Sequence, residues 1–289
     1  MTCIDKPNGT MSPISDDEIR RVIDNQKCPD LCYRDLRSRN LGHFILASAR
    51  LIGSDLRESN LKRGRLMAAC LDKTLLCNAD LGEADLTGVS LRYSDCREAG
   101  FQGTGFRRAQ IVACDMRNTD CRHIDLRDTD CLLSKFTGSD LSGADLSHII
   151  MGTCDLRDVD LRDSTLRQTV FIATDLKNSL FDRSDLSNAG MNSIGLNNAS
   201  LTDAVLCYAQ LCDSNLRGTI LRGTDCRHSN LEGARMTSTD CRYCDFREAN
   251  LEWADLRQSN FKGADIRGAR MDNAIMDITM RNSLSRQPP

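Results

Sequence analysis

Between Pro29 and Pro288 the sequence contains no proline. Proline lacks the backbone N–H, so a chain without it can run an unbroken hydrogen-bond ladder over that whole distance. Long apolar runs are missing too, and no stretch approaches the roughly 20 apolar residues of a membrane-spanning helix. The N-terminus shows no basic region followed by an apolar run, so no standard export signal is read and a cytoplasmic protein is expected. Neither charge dominates: 38 basic residues face 41 acidic ones, a net charge of −3, which favours neither nucleic acid nor a membrane surface as a direct partner. Glycine-rich phosphate loops and nucleophile elbows are absent, and with them the commonest signatures of nucleotide and acyl-transfer chemistry.

What the sequence does have is a period of five. Every fifth residue from Leu31 to Met276 is apolar, fifty in succession without an insertion or skip. This central position is Leu thirty times, Phe seven, Met six, Cys five and Ile twice. Five steps rotate an α-helix by roughly 140°, so such residues would wander around its surface. In a flat strand they would change faces at every repeat. A constant inward position requires the chain to turn a corner once per repeat, which is a solenoid. Two residues before each centre the side chain is usually small, as in Ala79, Ala84, Ser134, Ala144, Thr169 and Ala204, letting walls approach while Leu and Phe fill the axis. Seven of the eight Phe residues are centres and Phe44 takes the other inward position. All four Tyr residues and Trp253 fall two places after a centre, on the outward phase. The unbroken phase points to one elongated body rather than two globular domains.

Strings such as "ADLGEADLTG", "SDLSGADLS" and "CDLRDVDLRDSTLRQT" resemble the pentapeptide-repeat family, whose consensus is A(D/N)LXX. The resemblance covers residues 29 to about 278 and implies an all-β solenoid, a right-handed quadrilateral β-helix of about twelve coils. With strand-like spacing of about 4.8 Å between coils the rod would be roughly 60 Å long.

Three segments are expected: an N-terminal segment 1–28 with a capping helix, the β-helix 29–278, and a C-terminal tail 279–289. Ser15-Asp16-Asp17-Glu18 reads as a capping box with Ser15 as N-cap, and Ile14 and Ile19 are placed for a hydrophobic staple. A short helix from about Asp16 to Gln26 would then cover the open first coil. That coil is atypical, with Arg34 and Arg39 where small residues belong. At the other end Ile275, Ile278, Met280 and Leu284 are candidates to cover the last coil. The cysteine count, 15, is odd, and eight cysteines take inward phases, where a free thiol behaves as a small hydrophobe in a reducing compartment.

With four repeats per coil, residues twenty apart form columns. One column runs Arg37, Arg57, Arg97, Arg117, Arg157 beside Asp35, Asp55, Asp95, Asp115, Asp155, so cross-strand pairs are expected to neutralise stacked like charges. Two further faces repeat this less densely. The fourth face differs: its outward positions include Ile52, Tyr93, Val112, Leu132, Leu133, Ile150, Val170 and Ile172, and between Gln110 and Ser193 it carries only Asp130 as a charge. A patch on the order of 300 Å² would result, the size at which apolar surface begins to mark interaction.

No catalytic, cofactor-binding or metal-binding residue is predicted, and no cofactor. His43 and His123 share a column and His148 and His228 another, each pair four coils apart, roughly 19 Å at strand spacing. Cys241 and Cys244 have redox-motif spacing but inward phases, while Cys70, Cys77, Cys207 and Cys212 face outward. A tube packed with Leu and Phe leaves no pocket. The expected function is a noncatalytic interaction scaffold, a rigid rod presenting its apolar face to a protein partner or to a second copy in a homodimer. The family resemblance implies two alternatives: a DNA mimic that binds DNA gyrase or a topoisomerase, as some members do, and a translocated bacterial effector.

Overall fold

The computed structural model describes residues 11–42 and 44–278. From Asp30 to Ile275 the residue before each centre pairs in parallel with the residue twenty positions on: Asp30 with Arg50, Asp35 with Asp55, Asn40 with Asn60, Ile45 with Arg65, and so to Asp255 with Ile275. Four pentapeptides therefore complete one coil, and the rod has four walls. Wall 1 carries the centres Leu31, Leu51 and Leu71; wall 2 begins at Leu36, wall 3 at Leu41 and wall 4 at Leu46.

Each repeat satisfies its backbone in the same way. The centre's N–H donates to the next coil, as Leu36 N does to Asp55 O at 2.8 Å, and the preceding residue's N–H donates to the coil below, as Asp55 N does to Arg34 O at 3.0 Å. The corner closes through a bond such as Ala49 N to Leu46 O at 3.0 Å. It requires a left-handed residue two places after the centre, for example Asn78 at φ 59°. Asn tolerates that region because its short polar side chain bonds locally. Losing a proline-free register anywhere would orphan one of these ladder bonds.

The centres from Leu31 to Leu256 are buried along the axis. Phe101, Phe106, Phe136, Phe181 and Phe246 are among the largest fully buried side chains. Phe101 and Phe106 meet with ring centroids 5.4 Å apart at 60°, a tilted geometry that aromatic quadrupoles favour. Toward the C-terminal end Ile266, Met271 and Met276 are only partly buried.

The small inward position does more than let walls approach. Where it is Ser, Thr or Cys, the side chain donates to the carbonyl of a centre, either in its own repeat or twenty-three residues back. Ser54 Oγ reaches Leu51 O at 2.7 Å, Thr104 Oγ1 reaches Leu81 O at 2.8 Å and Cys244 Sγ reaches Leu221 O at 2.7 Å. These bonds remove the cost of a buried hydroxyl or thiol.

At the N-terminal end, β1 (Ser12–Pro13) pairs in parallel with β2 (Arg34–Asp35), and helix α1 spans Asp16–Asn25. Ser15 Oγ accepts the N–H of Glu18 at 3.3 Å. Ile14 and Ile19 are buried against the first coil, with Val22 and Ile23 packed beside them. Arg39, standing where a small residue is the rule, instead turns toward this segment: its Nη1 lies 2.9 Å from Asp16 Oδ1 and its Nη2 donates to Ile14 O at 3.0 Å. Arg34 Nη2 is 4.0 Å from Glu18. The two anomalous arginines of the first coil are thus explained by what lies over it. Met280, Leu284, the tail and His43 fall outside the described residues. No helix among the described residues is long and apolar enough to cross a membrane.

Candidate protein interface

Wall 1 departs from the others in its middle coils. Before the left-handed corner residues Thr153 and Ala173 the chain is extended at β3 (Ile150–Gly152) and β4 (Val170–Ile172), which pair in parallel with Ile150 opposite Val170, Met151 opposite Phe171 and Gly152 opposite Ile172. Met151 and Phe171 remain centres and point into the axis. Their flanking residues point out, because successive side chains of a strand alternate faces. Ile150 is 52% exposed and Ile172 53%. β-branched residues suit such a pleated, half-buried surface, so the sequence that makes the wall apolar also makes it extended.

Leu132 lies across Gly152 in the coil above. A Cβ at Gly152 would stand 2.5 Å from Leu132 Cδ2, so in this conformation the leucine tip occupies the space the glycine leaves. Leu133, beside it, is 56% exposed, and Tyr93 is exposed lower on the same wall. Val112 is half-buried and joins Tyr93 to Leu132 along the wall. Tyr93, Val112, Leu132, Leu133, Ile150, Val170 and Ile172 therefore form one strip over five consecutive coils. Ile52 does not belong to it. It is only 6% exposed, and one coil separates it from that of Tyr93. The Tyr33 ring packs onto Gly53, the residue next to it, at a distance where a Cβ would stand 2.6 Å from Cε1, and this crowding closes the lower end of the wall. Phase alone placed Ile52 outward and could not register what lies against it.

Along its border with wall 4 the strip meets polar groups. Asp128, Asp130 and His148 line a shallow depression of about 510 Å³ with Leu132 and Ile150. Asp130 Oδ1 accepts the backbone N–H of Leu132 at 3.2 Å.

On the other three walls the cross-strand pairing expected is present, as in Arg183 with Asp163 at 2.7 Å, and a second arrangement is added to it. The principal clamp lies within one repeat: the aspartate before the centre grips the arginine after it with both oxygens. Arg97 Nε and Nη2 lie 2.8 and 2.7 Å from Asp95 Oδ1 and Oδ2, and Arg157 Nε and Nη2 lie 2.8 and 2.6 Å from Asp155. The same Oδ1 accepts the arginine's backbone N–H, at 3.3 Å for Arg157, so the carboxylate also braces the corner. Contacts between coils add to this: Arg167 Nε lies 2.5 Å from Asp185 Oδ2, and Arg127 Nε lies 3.4 Å from Asp145 Oδ2. Two residues apart across a centre, both side chains point the same way, which is why the fork closes locally first. Hydrogen bonding from Arg97 and from Arg227 holds the carboxyls of Asp95 and Asp225 down at about 2.

The cysteines singled out in the sequence are spread along the rod. Cys96, Cys114, Cys121, Cys131, Cys154, Cys226, Cys241 and Cys244 are all buried. Burial pushes the Cys121 thiol up to about 12 and Cys154 to about 11, which disfavours the reactive thiolate at neutral pH. Outward-facing Cys207 is also raised, to about 11, by its partial burial. His228 stacks on Tyr208 in the coil below, ring centroids 4.7 Å apart and 6° from parallel. Among the described residues no group of three or more His, Cys, Asp or Glu is arranged to hold a metal ion.

A family model described as "Pentapeptide repeats" matches the chain in eight copies over residues 69–108, 114–152, 154–191, 199–237 and 244–277. The chain belongs to the pentapeptide-repeat family, whose fold is the right-handed quadrilateral β-helix. Solved structures similar to it include full-length QnrB1, a plasmid-mediated fluoroquinolone resistance protein, at 19% identity and TM-score 0.44, covering 77% of this chain and 98% of that one. Another is a pentapeptide repeat protein of the Arabidopsis thaliana thylakoid lumen, at 24% identity and TM-score 0.33, covering 35% of this chain and 70% of that one. A third is Rfr23 of the cyanobacterium Cyanothece 51142, at 26% identity and TM-score 0.23, covering 36% of this chain and 64% of that one. A search of curated protein sequences found no match.

Proposed function

We propose that this protein is a noncatalytic scaffold, a rigid rod that binds a protein partner through the apolar strip of wall 1. The observation that carries this reading is the contrast at one level of the rod. Leu132, Leu133, Ile150 and Ile172 are exposed on wall 1, while walls 2 and 3 at the same height carry clamped Asp–Arg pairs, Asp155 with Arg157 and Asp160 with Arg162. Contiguous exposed apolar surface rimmed by polar groups is what protein contact faces present. The strip fits a flat apolar surface on the partner, and a second copy of the chain is one such surface.

The test is the double variant Leu132→Glu, Ile172→Glu. Its β-type circular dichroism and melting should match the parent, while association, measured by sedimentation and by capture from the native extract, weakens at least tenfold, about 1.4 kcal/mol. Unchanged association with unchanged fold removes the strip as an interface.

The gyrase reading comes from the family: some members bind DNA gyrase and protect it from inhibitors, and QnrB1 is a resistance protein for fluoroquinolones. A supercoiling assay separates the two readings. Inhibition or protection of gyrase that survives the double glutamate substitution would replace the scaffold with the mimic.

A further inference from the structure

Contacts between coils on the charged walls follow a rule. The arginine after one centre meets the acid eighteen residues on: Arg127 with Asp145 at 3.4 Å, Arg227 with Asp245 and Arg247 with Asp265 at 3.7 Å, and Arg157 with Asp175 at 3.9 Å. On wall 2 near the C-terminal end the rule is inverted. The residue eighteen after Arg217 is Arg235, also a cation. The clamp below it is gone as well, since the aspartate's place is taken by Asn215. Asn215 Oδ1 still accepts the Arg217 N–H at 3.2 Å, so the corner is kept and only the charge is lost.

Among the described residues none of the ion pairs within 4.0 Å involves Arg217 or Arg235. Among the described residues no other two arginines stand in this relation. Arg117 followed by Lys135 looks similar, but there Asp115 holds Arg117 with both oxygens, at 2.8 and 2.6 Å.

The two guanidiniums line an open depression of about 420 Å³, together with Asn215, Thr237 and Arg257. Two carboxylates also border it, Asp255 within an ion pair and Asp277 with its charge retained. Asp255 is gripped by Arg257 at 2.8 and 2.6 Å, and Asp277 Oδ2 accepts the N–H of Gln258 at 2.6 Å.

We propose that this depression binds a doubly charged oxyanion, a phosphate group. Two unneutralised guanidiniums in neighbouring coils repel each other, and a dianion between them reverses the sign of that interaction. The planar fork of arginine matches phosphate oxygens two at a time, so both side chains can serve one group. The Thr237 hydroxyl and the Asn215 amide supply neutral hydrogen-bonding groups at the same rim. This site lies on wall 2 and stands apart from the apolar strip, so neither depends on the other.

The experiment follows thermal melts and isothermal titration with inorganic phosphate at constant ionic strength, balanced with sodium chloride. The parent should bind saturably, and its Tm should rise by roughly 2–4 °C near tenfold excess over Kd. Arg235→Asp restores the arginine–aspartate rule, so it should fold, melt at or above the parent in chloride alone, and bind phosphate at least tenfold more weakly. Arg217→Gln should weaken binding in the same direction. A parallel titration with phosphoserine distinguishes sources: tighter binding than inorganic phosphate points to a modified side chain of a partner, equal binding to a free phosphate. Absence of a saturable response in the parent, or equal responses in the parent and both variants, overturns the proposal.

Discussion

Wall 1 and wall 2 share one axis and one ladder, and between Gln110 and Ser193 they could hardly differ more outside it. Wall 1 presents Leu132, Leu133, Ile150 and Ile172; wall 2 at the same height presents Arg117, Arg157 and Lys177 with Asp115, Asp155 and Asp175. Their inward sides are interchangeable: Cys131, Met151 and Phe171 on one, Phe136, Leu156 and Leu176 on the other, all buried. Two inward positions per pentapeptide specify the rod, and the outward ones are released from that duty. What the protein recognises is therefore written at positions that contribute little to holding it together, and the two kinds of information can be altered separately.

The largest expected effect tests whether the walls share their core equally. Met151→Ala and Leu156→Ala should each cost about 2–5 kcal/mol in denaturant unfolding, because both side chains are fully buried and the stacked coils cannot collapse around the cavity. A much smaller loss at Met151 would show that the extended part of wall 1 packs more loosely. Next comes the pair of glutamates at Leu132 and Ile172, expected to change stability by no more than about 0.5 kcal/mol while weakening association at least tenfold, since both are surface positions. The comparison breaks if the rod unfolds instead.

Within wall 2 the clamp itself can be dissected. Asp155→Ala should cost about 1 kcal/mol, because the backbone N–H of Arg157 loses its acceptor along with the ion pair. Arg157→Ala should cost less, since it leaves the corner braced. Asp155→Asn, keeping the acceptor, should fall between them in the same denaturant series. Equal losses for Asp155→Ala and Arg157→Ala would mean that the charge pair, not the corner, is what matters.

The smallest effect is acid sensitivity. Arginine hydrogen bonds hold Asp95 and Asp225 at about 2, against an ordinary value of 3.8. A carboxyl lowered on folding stabilises the folded state above the ordinary value, and that contribution fades as pH falls from about 4 through about 2. Amide exchange should accelerate over that interval around Asp95 on wall 2 and Asp225 on wall 4. It should do so less in the strip of wall 1, which has one carboxylate between Gln110 and Ser193. Uniform acceleration on all walls would remove the distinction.

Much of this architecture is legible because the repeat is so regular. The phase of Leu31 to Met276 locates the axis, and the outward phase of Tyr93, Tyr208, Tyr243 and Trp253 holds in the structure. The capping signature at Ser15 and Glu18 lies where α1 begins, although the helix ends one residue earlier than expected, at Asn25. Ile52 escaped because periodicity reports direction and not cover. The bidentate clamps within one repeat went unread because columns of twenty draw attention to stacking, while the shorter path runs between residues two apart. The buried hydroxyl bonds, such as Thr174 Oγ1 to Met151 O at 2.7 Å, went unread, though the high share of Ser and Thr at the small position was their visible trace. Asn215 and Arg235 also stand in plain view as breaks in the aspartate column, and they gain meaning only once the diagonal contact is known.

The twenty-residue register has one more consequence. Inserting or deleting a whole coil would lengthen or shorten the rod and leave every wall aligned. Removing a single pentapeptide would satisfy the axis just as well, yet everything beyond the cut would be rotated by ninety degrees. Made between Leu133 and Ile150, such a cut would send the lower and upper halves of the strip to different sides of the molecule. Lineages of this chain can thus gain length cheaply in steps of four repeats, while any smaller step reshuffles which residues a binding partner sees together.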